Sequence, residues 1–164
     1  RDMFMFSFYT RGMSFVDMAY LRKKDLTDGI LSYRRRKTKQ RMSIRWERCM
    51  QEIVDKYDSS RSSFLLPIIR PDSCFEERRQ YIYASHNINH SLKALSRRLE
   101  MDIPLTMYVA RHSWASIARS KNIPLAVISE GMGHESESTT RIYLASLSTN
   151  IIDEANSMII ESLF

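Results

Sequence analysis

Residues 28–46 read DGILSYRRRKTKQRMSIRW and predict a β-hairpin. Two runs suited to strands, residues 30–33 (ILSY) and residues 42–46 (MSIRW), flank a polar tip at residues 37–40 (KTKQ). Two runs of this kind joined by a short polar connection are typical of paired antiparallel strands. The dipeptide Asp28-Gly29 before the first run is a turn signal.

The hairpin carries the densest positive charge in the chain. Its cations are Arg34, Arg35, Arg36, Lys37, Lys39 and Arg41, and no acidic residue lies between Asp28 and Glu47. One interpretation is a solvated edge hairpin, because basic side chains protect exposed strand edges. The other is a nucleic-acid surface, because phosphates are the natural partners of a positive field that is not neutralised locally. The hairpin alone leaves both interpretations open.

Helices are predicted on both sides of the hairpin. Residues 3–9 are apolar, and residues 14–17 have the spacing of a capping box that starts a helix to about Leu21. After the hairpin, apolar residues recur at helical spacing from Trp46 to Tyr57 and again over residues 88–99.

The C-terminal half predicts three more helices and little else. One is capped by Thr106, one begins at Pro124 and ends at Gly131, and one starts at Ser136 or Ser138 and carries Tyr143. Residues 64–66 (FLL) predict a short third strand. The predicted fold class is therefore mainly α with a small antiparallel β-sheet (α+β).

The amino-acid composition limits the classes of protein to which the chain can belong. The 164 residues suit one domain with a tail, and 43% hydrophobic against 27% charged residues is ordinary for a soluble globular chain. Pro67 breaks the longest apolar run, so no segment is predicted to cross a bilayer. Cys49 and Cys74 have no zinc-like spacing and predict free thiols in a reducing compartment.

The charge balance points towards a polyanionic partner. There are 25 Lys+Arg against 19 Asp+Glu, for a net charge of +6 and a pI near 9.5. The chain opens with Arg1 and shows no signal-peptide pattern, so we expect it to be part of a longer protein.

Two further groups of residues could carry chemistry. In residues 105–113 (LTMYVARHS), Tyr108 and Arg111 share a helix face, and the planar fork of an arginine suits a phosphate. In residues 131–134 (GMGH), two glycines turn the chain and deliver His134, with Tyr143 nine residues later. Each residue alone has an ordinary structural interpretation, and the signal is their ordered combination.

The chain resembles the catalytic domain of the tyrosine recombinases, also called the phage-integrase family, over essentially its whole length. The resemblance rests on the LTxYxxRHS pattern of residues 105–113, on Met132-Gly133-His134 with Tyr143-Leu144, and on residues 36–39 (RKTK). Residues 8–14 (FYTRGMS) are similar to those of integrases of bacterial mobile elements.

The resemblance implies an enzyme that cleaves and rejoins DNA. The phenol of Tyr143 would attack a phosphodiester, leaving a 3′-phosphotyrosyl link and a free 5′-hydroxyl. Arg111 and His134 would stabilise the negative charge of the transition state. Lys37 would protonate the departing oxygen, with Lys39 as the neighbouring alternative. No cofactor or metal is implied, and the sequence offers no metal-ligand cluster.

The rest of the hairpin would bind the DNA backbone. The residues expected to do so are Arg34, Arg35, Arg36, Lys39 and Arg41.

Two positions depart from the usual family pattern. Tyr108 stands where many members have a histidine, and a phenol with a reference pKa of about 10 is a poor base near neutral pH. Tyr108 would instead hydrogen-bond the phosphate or position a water, and His134 is a weak candidate for the base.

The second departure concerns the family's first arginine. Aligning Gly12 and Asp17 puts Ser14 in that position, and Asp17 takes a supporting or structural role. Either Arg11 supplies the charge from a shifted backbone position, or Arg11 is a surface residue and Ser14 merely caps a helix.

The resemblance also implies an organisation and partners. Residues 1–149 would form the catalytic domain and residues 150–164 a helical tail, with the family's N-terminal DNA-binding domains absent. Double-stranded DNA is the expected partner, and the tail would dock on a neighbouring subunit in a homo-oligomer or on its own domain. The expected location is the bacterial cytoplasm, at the nucleoid. The competing functions are a type IB topoisomerase and a DNA-binding module with impaired catalysis.

Overall fold

The computed structural model describes residues 1–57 and 62–145, where seven α-helices accompany one three-stranded antiparallel sheet. The helices are α1 (Asp2–Tyr9), α2 (Phe15–Ala19), α3 (Arg48–Val54), α4 (Glu77–Arg98), α5 (Met107–Ser120), α6 (Leu125–Met132) and α7 (Glu137–Ala145). The strands are β1 (Leu26–Thr27), β2 (Ile30–Arg34) and β3 (Arg41–Arg45). The predicted class, mainly α with a small antiparallel sheet, is confirmed.

The chain divides into two compact units, Arg1–Trp114 and Ala115–Phe164. The predicted tail of residues 150–164 lies outside the described residues. Within the described ranges, no helix combines the length and the apolar character that crossing a bilayer requires. Cys49 and Cys74 are free thiols.

The predicted hairpin is confirmed, with β2 and β3 paired from Ile30↔Arg45 to Arg34↔Arg41. The predicted third strand at residues 64–66 is wrong, because Phe64 forms only an isolated bridge with Arg22. The third strand is β1, which pairs with β2 across the turn at Asp28 and Gly29. Both turn residues have positive φ (51° and 72°), the conformation that a two-residue hairpin turn of the I′ kind requires.

Strand alternation decides which hairpin side chains face the core. Leu31 is 0% exposed, whereas its neighbours Ile30 and Ser32 are exposed. Successive side chains on a strand point to opposite faces, so Arg35 follows Leu31 inward and is only 8% exposed. Arg35 is thus buried, whereas the other hairpin cations predicted to bind the DNA backbone are exposed.

One buried carboxylate joins the hairpin to α2. Oδ1 of Asp17 accepts the backbone N–H of Arg36 at 2.8 Å, and Oδ2 accepts the Ser14 hydroxyl at 2.7 Å. Arg35 Nε lies 3.9 Å from the same Oδ2. Ser14 Oγ also accepts the Asp17 N–H at 3.3 Å, which confirms the predicted cap of α2.

The helix that carries Arg111 is capped from a neighbouring helix. Asn89 Oδ1 of α4 accepts the Met107 N–H at 2.8 Å, at the point where the sequence predicts Thr106 as the cap. The first helical N–H groups lack partners within their own helix, so this bond fixes where α5 starts. The first unit is packed around a core whose fully buried members include Phe6, Met18, Leu21, Leu31, Ile44, Leu66 and Ile69.

Replacing Arg35 by alanine is expected to lower the free energy of unfolding by about 3 kcal/mol, because it removes the cation beside a buried carboxylate. The matched variant Arg34→Ala changes an exposed arginine one residue earlier and is expected to cost no more than about 0.5 kcal/mol. Urea denaturation of both variants measures the difference. Equal losses would show that Arg35 does not stabilise the hairpin from its buried position.

Candidate active site

Three predicted site residues stand on α5 or against it. Arg111 is 7% exposed, and its Nη1 donates a hydrogen bond to the Gly12 carbonyl at 2.8 Å. Tyr108 lies one turn earlier on α5 and is 56% exposed. Arg11 is half-buried and directly precedes Gly12, so the α1–α2 connection meets α5 at this point.

The connection at Arg11 and Gly12 turns through two left-handed residues, with φ of 62° and 72°. A Cβ on Gly12 would lie 2.7 Å from Arg111 Cα and 2.7 Å from Arg111 Cγ, closer than real side chains approach. Only glycine therefore allows the backbone to come this near to the arginine.

The pKa of the Tyr33 phenol on β2 depends on several charged residues of the first unit. Burial raises the pKa of Tyr33, and the Asp17 carboxylate raises it further. Three cations act on the same pKa in the opposite direction, namely Arg35, Arg111 and Arg11. Arg11 and Arg111 thus act on the same half-buried phenol, although they lie far apart in the sequence.

His112 follows Arg111 on α5 and is half-buried. Burial lowers the pKa of His112, and the adjacent Arg111 charge lowers it further. Its ring centroid lies 4.4 Å from that of Tyr108, with the planes nearly perpendicular. These contacts agree with the interpretation of His112 as a structural, partly buried histidine.

The hairpin tip holds Lys37 and Lys39 in solvent. The tip is closed by backbone bonds from Arg35 N to Gln40 O and from Lys39 N to Arg35 O, both 2.9 Å. Lys37 and Lys39 are both exposed, as are Arg34, Arg36 and Arg41. The Arg36 guanidinium stacks 3.7 Å over the Tyr20 ring, which holds one of these cations against the domain surface.

In the second unit, the end of α6 delivers His134. The predicted end at Gly131 is wrong by two residues, because Gly131 lies inside α6 and Gly133 takes the left-handed conformation with φ of 63°. Gly133 N donates to Glu130 O at 2.9 Å and His134 N donates to Ser129 O at 3.0 Å. This pair of bonds is the Schellman arrangement, which uses glycine to end a helix.

His134 and Tyr143 come together within the second unit. Nδ1 of His134 lies 2.7 Å from Oγ1 of the fully buried Thr140, and the ring centroids of His134 and Tyr143 are 5.6 Å apart. Ser136, rather than Ser138, caps the helix that carries Tyr143, since Ser136 Oγ accepts the Thr139 N–H at 3.3 Å. A hydroxyl partner at one ring nitrogen fixes the orientation of the imidazole.

Residues 1–57 and 62–145 contain no group of three His, Cys, Asp or Glu side chains that could hold a metal ion. Two important features were not expected from the sequence. The alternation of β2 could have placed Arg35 inward, because it lies four residues after the apolar Leu31. No pattern could have shown the bond between Gly12 and Arg111, because it joins positions distant in the chain.

Comparison with known proteins points in one direction. The model of the phage integrase family matches residues 1–149. The structure of XerA recombinase is 18% identical with a TM-score of 0.64, over 93% of this chain and 54% of that chain. XerH recombinase bound to palindromic difH substrate, in a post-cleavage complex, is 17% identical with a TM-score of 0.69, over 96% of this chain and 44% of that chain.

A third similar structure is the Tn1549 transposon integrase in complex with transposon right end DNA, at 13% identity and a TM-score of 0.64. The match covers 98% of this chain and 57% of that one, so the chain spans about half the length of the solved structures it matches. No curated protein sequence matches the chain. The family match over residues 1–149, on a fold shared with recombinase structures, shows that the chain belongs to the phage integrase family.

Proposed function

We propose that the chain is the catalytic domain of a site-specific DNA recombinase that works through a 3′-phosphotyrosyl intermediate. The observation that carries the proposal is the buried Arg111 guanidinium, held by a backbone carbonyl in a chain of this family. Burying an arginine is costly, and a fixed guanidinium is the group best suited to a transferring phosphate. The DNA present in the XerH and Tn1549 integrase structures supports DNA as the partner.

In the proposed reaction, Tyr143 Oη forms a bond to phosphorus and the bond from phosphorus to the 5′-oxygen breaks. Lys37 donates a proton to that departing oxygen, which leaves as a hydroxyl. Arg111 and His134 donate hydrogen bonds to the nonbridging oxygens, where negative charge grows in the transition state. Rejoining runs the same steps in reverse with a 5′-hydroxyl as the nucleophile.

The proton of Tyr143 needs an acceptor. His134 lies against the Tyr143 ring and is the weak candidate for this base. In that role its ring nitrogen away from Thr140 first accepts the Tyr143 proton and then donates that proton as a hydrogen bond to a nonbridging oxygen. Tyr108 is exposed on α5, where its hydroxyl can hydrogen-bond a phosphate or position a water. Its reference pKa of about 10 makes it a poor base near neutral pH.

Arg11 is proposed to supply the charge of the family's first arginine. Ser14, which occupies the aligned position, has its hydroxyl on Asp17 and caps α2. Arg11 lies beside Gly12, whose carbonyl holds Arg111, and both arginines lower the pKa of the half-buried Tyr33 phenol. The half-buried position of Arg11, next to the residue that holds Arg111, supports Arg11 over the alternative of an uninvolved surface residue.

The exposed hairpin cations are proposed to bind the DNA backbone. They are Arg34, Arg36, Lys39 and Arg41, without the buried Arg35. Binding through phosphates releases counterions, so the affinity for DNA should fall steeply with salt and depend little on sequence.

The organisation of the domain is also a proposal. Residues 1–149 would form the catalytic domain and residues 150–164 a tail through which copies assemble on DNA. The protein would act in the bacterial cytoplasm.

The reaction is tested by covalent capture of the protein on nicked DNA duplexes that carry a random sequence around the cleavage position. After cleavage, the short strand next to the nick dissociates, so the DNA cannot be rejoined and the protein stays attached to it. The full-length protein is expected to form a complex that resists denaturant, and Tyr143→Phe to form none while its affinity for DNA stays within about twofold. Capture by Tyr143→Phe, or none by the wild type, would contradict the proposal. Relaxation of supercoiled plasmid without strand exchange would indicate topoisomerase activity instead.

The same assay tests Arg11. Arg11→Asn removes the charge but keeps a residue that tolerates the left-handed conformation, and capture is expected to slow by about 100-fold or more. The control Arg48→Asn makes the same change at an exposed arginine of α3 and is expected to capture normally. Normal capture by Arg11→Asn would remove Arg11 from the active site.

A further inference from the structure

We infer that Gly12 is a positioning residue for Arg111, acting through its backbone carbonyl. The inference rests on the proposed function of Arg111 and adds a requirement for one particular backbone position outside α5. Two observations carry it: the bond from Arg111 Nη1 to the Gly12 carbonyl, and the space at Gly12 that Arg111 fills.

The carbonyl restricts the guanidinium without neutralising it. A carboxylate partner would cancel the positive charge that a phosphate needs, whereas a neutral carbonyl accepts one N–H and leaves the charge in place. The bond lies in a buried setting, where hydrogen bonds are stronger than in water. The carbonyl therefore fixes the direction of the arginine fork and does not itself cancel the charge.

The carbonyl is itself held in place by the end of α1. Ser7 O accepts both the Gly12 N–H at 2.8 Å and the Met13 N–H at 3.2 Å, and Ser7 Oγ donates to Met13 O at 2.7 Å. Ser7 is 0% exposed. Bonds on both sides of the Gly12 carbonyl thus leave the turn little freedom to rotate it away from Arg111.

The absence of a side chain at Gly12 is as important as the carbonyl. A Cβ there would meet Arg111 Cα, Cβ and Cγ at 2.7 to 2.8 Å. Two of these atoms belong to the rigid start of the side chain or to the backbone of α5, so the arginine cannot simply swing aside. An alanine would displace Arg111 relative to the turn, and a displacement of about 1 Å in an active site can cost about 100-fold in rate.

The chain offers a matched control at Gly29. Its φ is also 72°, but a Cβ there meets no heavy atom within 4 Å. Gly12→Ala and Gly29→Ala therefore both place a side chain at the same positive φ, and only the Cβ of Gly12→Ala meets Arg111. Both variants are expected to lower the Tm.

Covalent capture with nicked DNA distinguishes the effect of Gly12→Ala from that of Gly29→Ala. Gly12→Ala is expected to slow capture by about 100-fold with DNA affinity within about threefold of wild type, and Gly29→Ala to capture within about twofold of wild type. In an Arg111→Lys background, which lacks the fork, Gly12→Ala should slow capture further by less than about threefold. Equal effects of the two alanines, or an undiminished effect in the lysine background, would overturn the inference.

A spectroscopic measurement tests the contact without relying on activity. The bond to the carbonyl should slow rotation of the Arg111 guanidinium about its Nε–Cζ bond, seen by ¹⁵N NMR in wild type and Gly29→Ala. Rotation should be faster in Gly12→Ala than in the wild type, and an unchanged rate there would overturn the inference. If the wild type captures no DNA, the proposed function fails, while the NMR result still decides whether Gly12 holds Arg111.

If Gly12→Ala does not fold, Ser7→Ala serves as the second variant. It removes the hydroxyl that braces Met13 O and leaves the Gly12 carbonyl in place. It is expected to slow capture by about threefold to tenfold and to speed guanidinium rotation. Normal capture together with slow rotation in Ser7→Ala would show that the bracing of the turn does not position Arg111.

Discussion

The Asp17 carboxylate is buried at 3% exposure, and its need for partners organises the first unit. One oxygen takes the Ser14 hydroxyl and so ties the carboxylate to the start of α2. The other takes the backbone N–H of Arg36, next to Lys37. The same group thus anchors the hairpin that presents the proposed general acid and lies close to the turn that holds Arg111.

Short local features of the chain position the proposed site residues. A left-handed turn at Gly12 brings a carbonyl to Arg111, and a left-handed Gly133 brings His134 out of the end of α6. Each glycine stands where a side chain would be strained or would collide. Among the residues with a proposed role, Arg11, Arg111 and Lys37 belong to the first compact unit, and His134 and Tyr143 belong to the second.

The sequence predicted most of the elements, because their signals are local. Alternation and a polar tip predicted the hairpin, and the spacing of Ser14 and Asp17 predicted the start of α2. The third strand was misplaced to residues 64–66, since apolar composition alone does not show which run finds a strand partner. The family was also predicted correctly. Arg35 and Gly12 show what could not be predicted from local patterns. The charge of Arg35 suggested an exposed side chain, although Arg35 is buried. Gly12 acts through a contact with Arg111, which is distant in the sequence.

The central claim is that four side chains act on one phosphate, and a structure of the full-length protein on DNA tests it most directly. With vanadate bridging the two ends of a cleaved strand, the account predicts that Tyr143 Oη is bonded to vanadium. It also predicts Arg111, His134 and Lys37 within hydrogen-bond distance of vanadate oxygens. Tyr143 and Arg111 on different phosphates, or Tyr143 without contact to DNA, would contradict the account.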